Sequence, residues 1–147
     1  MLFRSNNASV TEFRPSVHGD VTHSRPVAID FGTLAAPKVV VFYGSNDGVL
    51  RAVNGNRSAP IGTVAAGAEL WGFMPPEFFG KLGRLRANSL RINFPYLIGS
   101  VAPKPYGMDG PVSVHQGSSE TWLYAAMRRG GRMLYAFSVN NSDPTTV

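Results

Sequence analysis

Three polar residues near the start, His18, Asp20 and His23, are of types that hold metal ions, imidazole and carboxylate being ordinary ligands. The spacing of five between the histidines is not the i, i+4 spacing of a helical pair, and Gly19 places them in a loop. A turn whose side chains bond the backbone is the simpler expectation. Asp47 is of a type that serves as general acid or base, yet no second carboxylate or histidine has a sequence-defined place beside it. It reads instead as a turn aspartate bonding nearby amides. Ser24 and Ser45 lack a nucleophile-elbow context, since Gly-x-Ser-x-Gly does not occur. Trp71 and Trp122 have faces that stack on ligands, but a tryptophan at the end of a strand more often packs between sheets.

Lys81, Arg84, Arg86 and Arg91, with Phe94 nearby, combine the cations and the aromatic ring that nucleic-acid binding uses. Phe78, Leu82 and Leu85 are spaced as the buried stripe of one helix, which leaves the basic residues as its solvated face. No nucleic-acid partner is therefore expected, and a membrane-surface role is weaker still for a short, Gly-interrupted helix. No residue is assigned as catalytic, cofactor-binding or metal-ligating.

The elements that would position these residues centre on Lys38 to Trp71. Val39-Val40-Val41-Phe42-Tyr43 and Val49-Leu50-Arg51-Ala52-Val53 favour a pleated backbone and flank Ser45-Asn46-Asp47-Gly48. An Asp-Gly pair supplies the positive-φ turn of an antiparallel hairpin, and Asn54-Gly55 is expected to end the second strand in the same way. With Val27 to Phe31 before and Glu69-Leu70-Trp71 after, this is one four-stranded antiparallel sheet. Asn56 to Ala66 reads as a flexible loop, and residues 1–17 as a loosely ordered lead-in. Pro75-Pro76-Glu77 opens a short helix, with Arg84 and Arg86 near its end to suit the dipole. Arg91 to Ile98 is strand-like, with Pro95 suggesting an edge or an irregular extended segment.

A chain of 147 residues fits one ordinary domain, and 44% hydrophobic content with 16% charge supports a core. Sixteen Gly and eleven Pro fall between the apolar runs, as many short strands and turns require. A net charge of +5 permits an acidic partner without specifying one. The lack of cysteine excludes disulfides and thiolate sites, and no apolar stretch approaches a helical membrane span. The opening Met1-Leu2-Phe3-Arg4-Ser5-Asn6-Asn7 lacks the long apolar segment of an export signal, which suggests either a cytosolic protein or a piece of a longer precursor.

From Asp109 the opening pattern returns. Pro111-Val112-Ser113-Val114 echoes Pro26-Val27-Ala28-Ile29, Thr121 to Ala126 stands where Lys38 to Gly44 stood, and Met133 to Val139 matches Val49 to Asn54. Arg129-Gly130-Gly131 supplies the intervening turn. Leu134 on Leu50 gives an offset of 84, and Pro111 on Pro26 gives 85. Propeller-type repeats recur every ~40–50 residues; the loop and the helical insert lengthen this one. The expected fold is all-β and mainly antiparallel: a partial β-propeller of about two four-stranded blades, one over about 18–108 with the insert and a partial second over about 109–147.

The stretch Tyr43 to Gly55 with Glu69-Leu70-Trp71 resembles the blade motif of quinoprotein-like β-propellers. More narrowly, four ordered pieces resemble the propeller domain of the PilC/PilY proteins of type IV pilus biogenesis and adhesion. These are His18-Gly19-Asp20 through His23-Ser24-Arg25-Pro26-Val27, Phe42 to Gly48, Glu69 through Pro75-Pro76-Glu77, and Asp109-Gly110-Pro111-Val112. The likeness spans roughly residues 18–144.

The resemblance implies a non-enzymatic scaffold at the outer membrane or pilus tip of a Gram-negative bacterium, serving pilus assembly, surface attachment and twitching motility. Its partners would be pilus components or a host or abiotic surface. Family members can bind calcium elsewhere in the propeller, but no calcium loop is recognisable here, since Gly48 follows Asp47; no cofactor is expected. The alternatives are part of a quinoprotein-type dehydrogenase or a periplasmic assembly scaffold. Two blades are too few for a closed ring, so the chain is expected to be a fragment of a longer exported protein. Its open sheet edges are expected to promote self-association.

Overall fold

Alternating burial along β-branched and aromatic runs builds two antiparallel sheets in the computed structural model, which describes residues 18–87 and 105–147. The first sheet is a meander of β1 (Val27–Asp30), β2 (Val39–Gly44), β3 (Leu50–Asn54) and β4 (Glu69–Phe73), in that order. The second is β5 (Val112–Gln116), β6 (Glu120–Ala126) and β7 (Leu134–Asn140), also in sequence order. In the described sequence after β4 come a 3-10 turn, Pro76–Phe78, and the helix α1 (Phe79–Ala87). The fold is thus mainly antiparallel β with a short helical insert. The lead-in over residues 1–17 and the extended segment expected from Arg91 to Ile98, Phe94 included, fall outside the described residues.

Register decides which side chains meet, because successive strand residues point to opposite faces. In the first sheet Val27, Phe42, Ala52 and Trp71 stand in one row across four strands, flanked by the row of Gly44, Leu50 and Phe73. In the second, Val112, Ala125 and Tyr135 form one row and Val114, Leu123 and Phe137 the next. These two inner faces pack on each other: β1 and β2 lie against β5, while β4 lies against β7. Phe73 meets both Tyr135 and Phe137 with ring centroids 5.0 Å apart, and Trp71 meets Phe137 at 6.2 Å. Phe42, Leu50, Met108, Leu123 and Met127 are fully enclosed within one core drawn from both sheets.

The turns explain the strand ends. Gly48 has φ +95° and donates its N–H to Ser45 O at 3.1 Å, and the Phe78 ring sits where a Cβ would project. Glycine there meets both a backbone demand and a packing demand. The second hairpin differs from expectation: its positive-φ residue is Arg128 (φ 49°), not a glycine. Gly130 is needed for another reason, since a Cβ there would collide with Gly107 O.

Asn54-Gly55 is not a positive-φ turn either. Gly55 donates to Val39 O, while the buried Asn54 amide donates to Ala59 O and Val64 O. Asn56 accepts from Val39 N and donates to Pro37 O. The loop read as flexible is therefore pinned by two asparagines, and its Ile61 enters the core. The helix departs as well. Phe78 is buried and Leu85 half-buried, but Leu82 is 39% exposed, so the anticipated stripe is only partly covered.

Truncating Phe42, whose ring contacts Phe31 and Trp71, is expected to remove more stability than truncating Trp122 on the outer face of the second sheet. Phe42→Ala should cost about 3–5 kcal/mol in urea denaturation, and Trp122→Ala about 1 kcal/mol or less. Equal losses would contradict the assignment of inner and outer faces.

Candidate functional site

Antiparallel connectivity gathers one set of loops at a single end. The approach to β1, the β2–β3 turn, the exit from β4, the approach to β5 and the β6–β7 turn all lie there. Met108 N–H donates to Ser45 O, Gly107 N–H to the Asn46 side chain, and Lys81 Nζ to Gly130 O at 2.7 Å, so both sheets contribute to one polar surface.

Asp47 is the hub of its first half. Its carboxylate accepts from Gly19 N at 2.9 Å, Ser45 Oγ at 2.6 Å and Val49 N at 3.2 Å. Arg51 grips both oxygens, at 3.1 and 2.8 Å, and reaches the Glu69 carboxylate at 2.9 Å. Burial alone would push the Asp47 carboxyl up; the bonds from Arg51, Ser45 and the Gly19 amide outweigh it and hold the group below the usual carboxylate range. The same pairing overcomes desolvation of Arg51 and raises its guanidinium. Asp47 thus ties the approach loop, the turn and β3 together. Its lone pairs are occupied by donors, an arrangement suited to rigidity rather than proton transfer.

The second half centres on Asp109, whose side chain is fully buried between His23 Nδ1 at 2.9 Å and Arg128 at 3.4 Å. Tyr106 completes the surface, with the His23 ring at 6.4 Å and the Arg129 guanidinium 5.3 Å over its face. Tyr135 donates to Glu77 and joins the 3-10 turn to β7; burial first, then that carboxylate, pushes the phenol up to about 12.

The three residues weighed as metal ligands part company. His18 Nδ1 is 2.7 Å from Gly19 O, and its ring lies 5.5 Å from that of Tyr43. Asp20 accepts from Thr22 and from the Asn46 amide, and His23 turns to Asp109. No group of three or more His, Asp or Glu side chains converges as a metal cage among the described residues. Ser24 Oγ accepts from Gly44 N at 2.8 Å, and Ser45 belongs to the Asp47 hub.

Of the tryptophans, Trp71 packs between the sheets and donates Nε1–H to Pro144 O at 3.2 Å. Trp122 faces outward, 39% exposed, contrary to the expectation of inter-sheet packing. The basic group is not a uniform solvated face. Lys81 is half-buried, tethered to Gly130 O and Tyr106 O, with its ammonium 5.5 Å over the Phe78 ring. Arg84 is half-buried too, Arg86 edges an open groove of 410 Å³ with Asp47, Met74 and Leu82, and Arg91 lies outside the described residues.

Arg51, Glu69, Asp109 and Arg128 were not anticipated from sequence. The repeat did carry a signal for Asp109, which occupies the position of Ser24 one offset later, before x-Pro-Val in both cases. Compared with protein-family models, curated proteins and solved structures, the chain matches none.

Because the folded-state pKa of Asp47 is depressed below 3.8, its contribution is present above that value and is lost as pH falls through the lower folded value. Asp47→Asn should lower stability by about 1–3 kcal/mol at neutral pH, and the gap to the wild type should narrow below about pH 4. A gap unchanged by acidification, in denaturant titrations at a series of pH values, would contradict the hub.

Proposed function

We propose that the chain is part of a non-enzymatic β-propeller scaffold, similar to those of the PilC/PilY proteins, that binds protein partners in type IV pilus assembly and surface attachment. The observation that carries this reading is the stacking of two antiparallel meanders, 84–85 residues apart in sequence, inner face on inner face, with β1 near its counterpart β5 and one set of loops at a common end. Adjacent propeller blades stack in this manner. In this reading the two sheets are neighbouring blades, the second with three of its strands, and α1 is an insertion carried on the loop end.

The polar end supports a binding role over a catalytic one. Asp47, Asp109 and Glu77 are each engaged by donors from a different part of the chain, so they stiffen the loops. Rigid loops on a sheet scaffold lose little entropy on meeting a partner. Cations and aromatic rings, among them Arg128, Arg129 and Tyr106, lie beside one another there, and Arg and Tyr are the residue types that anchor protein interfaces. The parent protein would be exported to the outer membrane or pilus tip.

Deletion of the gene from its source bacterium is expected to abolish most surface pili, twitching and attachment, with recovery on complementation. Complementation carrying Arg128→Ala and Arg129→Ala together should restore secretion of the protein but not attachment. Normal piliation and movement after deletion would refute the proposal.

A further inference from the structure

Charge is shared unequally between the two ends of the sheets. Among the described residues, the loop end exposes Arg25, Arg86, Arg128, Arg129 and Arg132. Its carboxylates are turned to the fold instead. Asp20 accepts from Thr22 and Asn46, Asp47 from Arg51, Asp109 from His23 and Arg128, and Glu77 from Tyr135. At the opposite end Asp30, Glu120 and Asp143 are exposed, against Arg57. The molecule is therefore positive where its loops gather, and the surplus lies on guanidinium groups.

Two adjacent arginines of the β6–β7 turn are held unlike ordinary surface arginines. Arg128 is the one non-glycine residue with positive φ among the described residues, at 49°, a backbone state that a Cβ disfavours. Its guanidinium meets the fully buried Asp109 carboxylate through one nitrogen at 3.4 Å, while 44% of the side chain stays exposed. Arg129 donates to Tyr106 Oη at 3.2 Å and lies 5.3 Å over that ring. Both guanidiniums are thus positioned before a partner arrives, and much of the rotamer freedom of two long side chains is already lost.

We infer that this turn receives an acidic protein segment, one carboxylate of which bonds the guanidinium forks of Arg128 and Arg129, its remaining charge being met by the other exposed arginines of the loop end. The planar fork matches a carboxylate with two parallel N–H···O bonds. Charge selects a carboxylate over a phosphate group. Arg128, Arg129 and Asp109 carry one net positive charge between them, which one carboxylate neutralises, whereas a phosphate monoester carries about −1.5 to −2. Nucleic acid is disfavoured as well, because the Tyr106 ring already has Arg129 over its face and the His23 ring 6.4 Å away, and base stacking needs an open aromatic face. The inference rests on the reading of the loop end as a partner-binding surface, and not on any role in pili.

Fluorescence anisotropy of a fluorescein-labelled peptide of alternating Glu and Ser, titrated with the full chain, tests this. Binding is expected at low ionic strength and should weaken as salt rises. Arg128→Asn, which keeps a residue that tolerates the left-handed backbone, should weaken binding about fivefold or more, and Arg129→Gln should do likewise. Arg128→Lys keeps the charge but loses the fork, and should still bind about threefold more weakly than the wild type. Arg57→Gln at the far end should change nothing. Should the Arg128 variants fail to fold, because the buried Asp109 loses a partner, Arg129→Gln decides, since Arg129 touches the fold only through Tyr106. No binding at low ionic strength, an equal loss from Arg57→Gln, or tighter binding of an oligothymidylate of the same charge or of anionic phospholipid vesicles would each overturn the inference. Peptide binding together with normal piliation after gene deletion would remove the pilus reading and leave this one standing; lost piliation without peptide binding would do the reverse.

Discussion

The structure depends on the contact of one sheet's inner face with the other's. Each sheet alone would leave a row of large apolar side chains in water: Phe42, Leu50, Trp71 and Phe73 on one, Leu123, Tyr135 and Phe137 on the other. Face-to-face packing removes both surfaces at once, and the tilted and edge-on ring geometries add to area burial where β4 crosses β7. Met108 and Met127, unbranched and adaptable, are enclosed beside the loop end. Everything else is arranged around that contact. The loops bring the sheets into line, and the polar hubs keep the loops in place.

Those hubs share a pattern. A short polar side chain is buried or half-buried where the chain must turn, and it satisfies backbone groups from segments far apart in sequence. Asp47 does so for the Gly19 amide, Asn56 for Val39 and Pro37, and Ser24 for Gly44. Buried donors and acceptors without partners are costly, so each hub penalises alternative loop positions and specifies one arrangement. This is how a core of modest size supports long connections. The loop from Asn56 to Ala66 contributes Ile61 to the core because the Asn54 and Asn56 side chains hold its Ala59 and Val64 carbonyls.

Much of the fold was legible because strand periodicity is a local signal. Val39 to Tyr43 and Val49 to Val53 around an Asp-Gly turn lead directly to β2 and β3, and the offset of 84–85 anticipates β5 to β7. The site was less legible, because its contacts are non-local. His23 meets Asp109 eighty-six residues later, and Lys81 meets Gly130 forty-nine later; no spacing rule reaches that far. Asn54-Gly55 misled because the dipeptide usually turns a hairpin, whereas here the asparagine side chain serves a longer loop. Leu82 misled because helical periodicity identifies a face but not whether anything covers it.

Two tryptophans allow the inter-sheet contact to be examined on each side. Trp71 lies between the sheets, and Trp122 lies on the far face of the second. Urea unfolding followed by fluorescence in Trp122→Phe and Trp71→Phe variants, alongside far-ultraviolet circular dichroism, compares these probes within one molecule. If the sheets form a single cooperative core, fluorescence and dichroism will report one midpoint and one slope in each variant. A Trp71 signal lost at lower urea than the dichroism, with the Trp122 environment persisting, would mean that the sheets separate before they unfold, and would contradict the account.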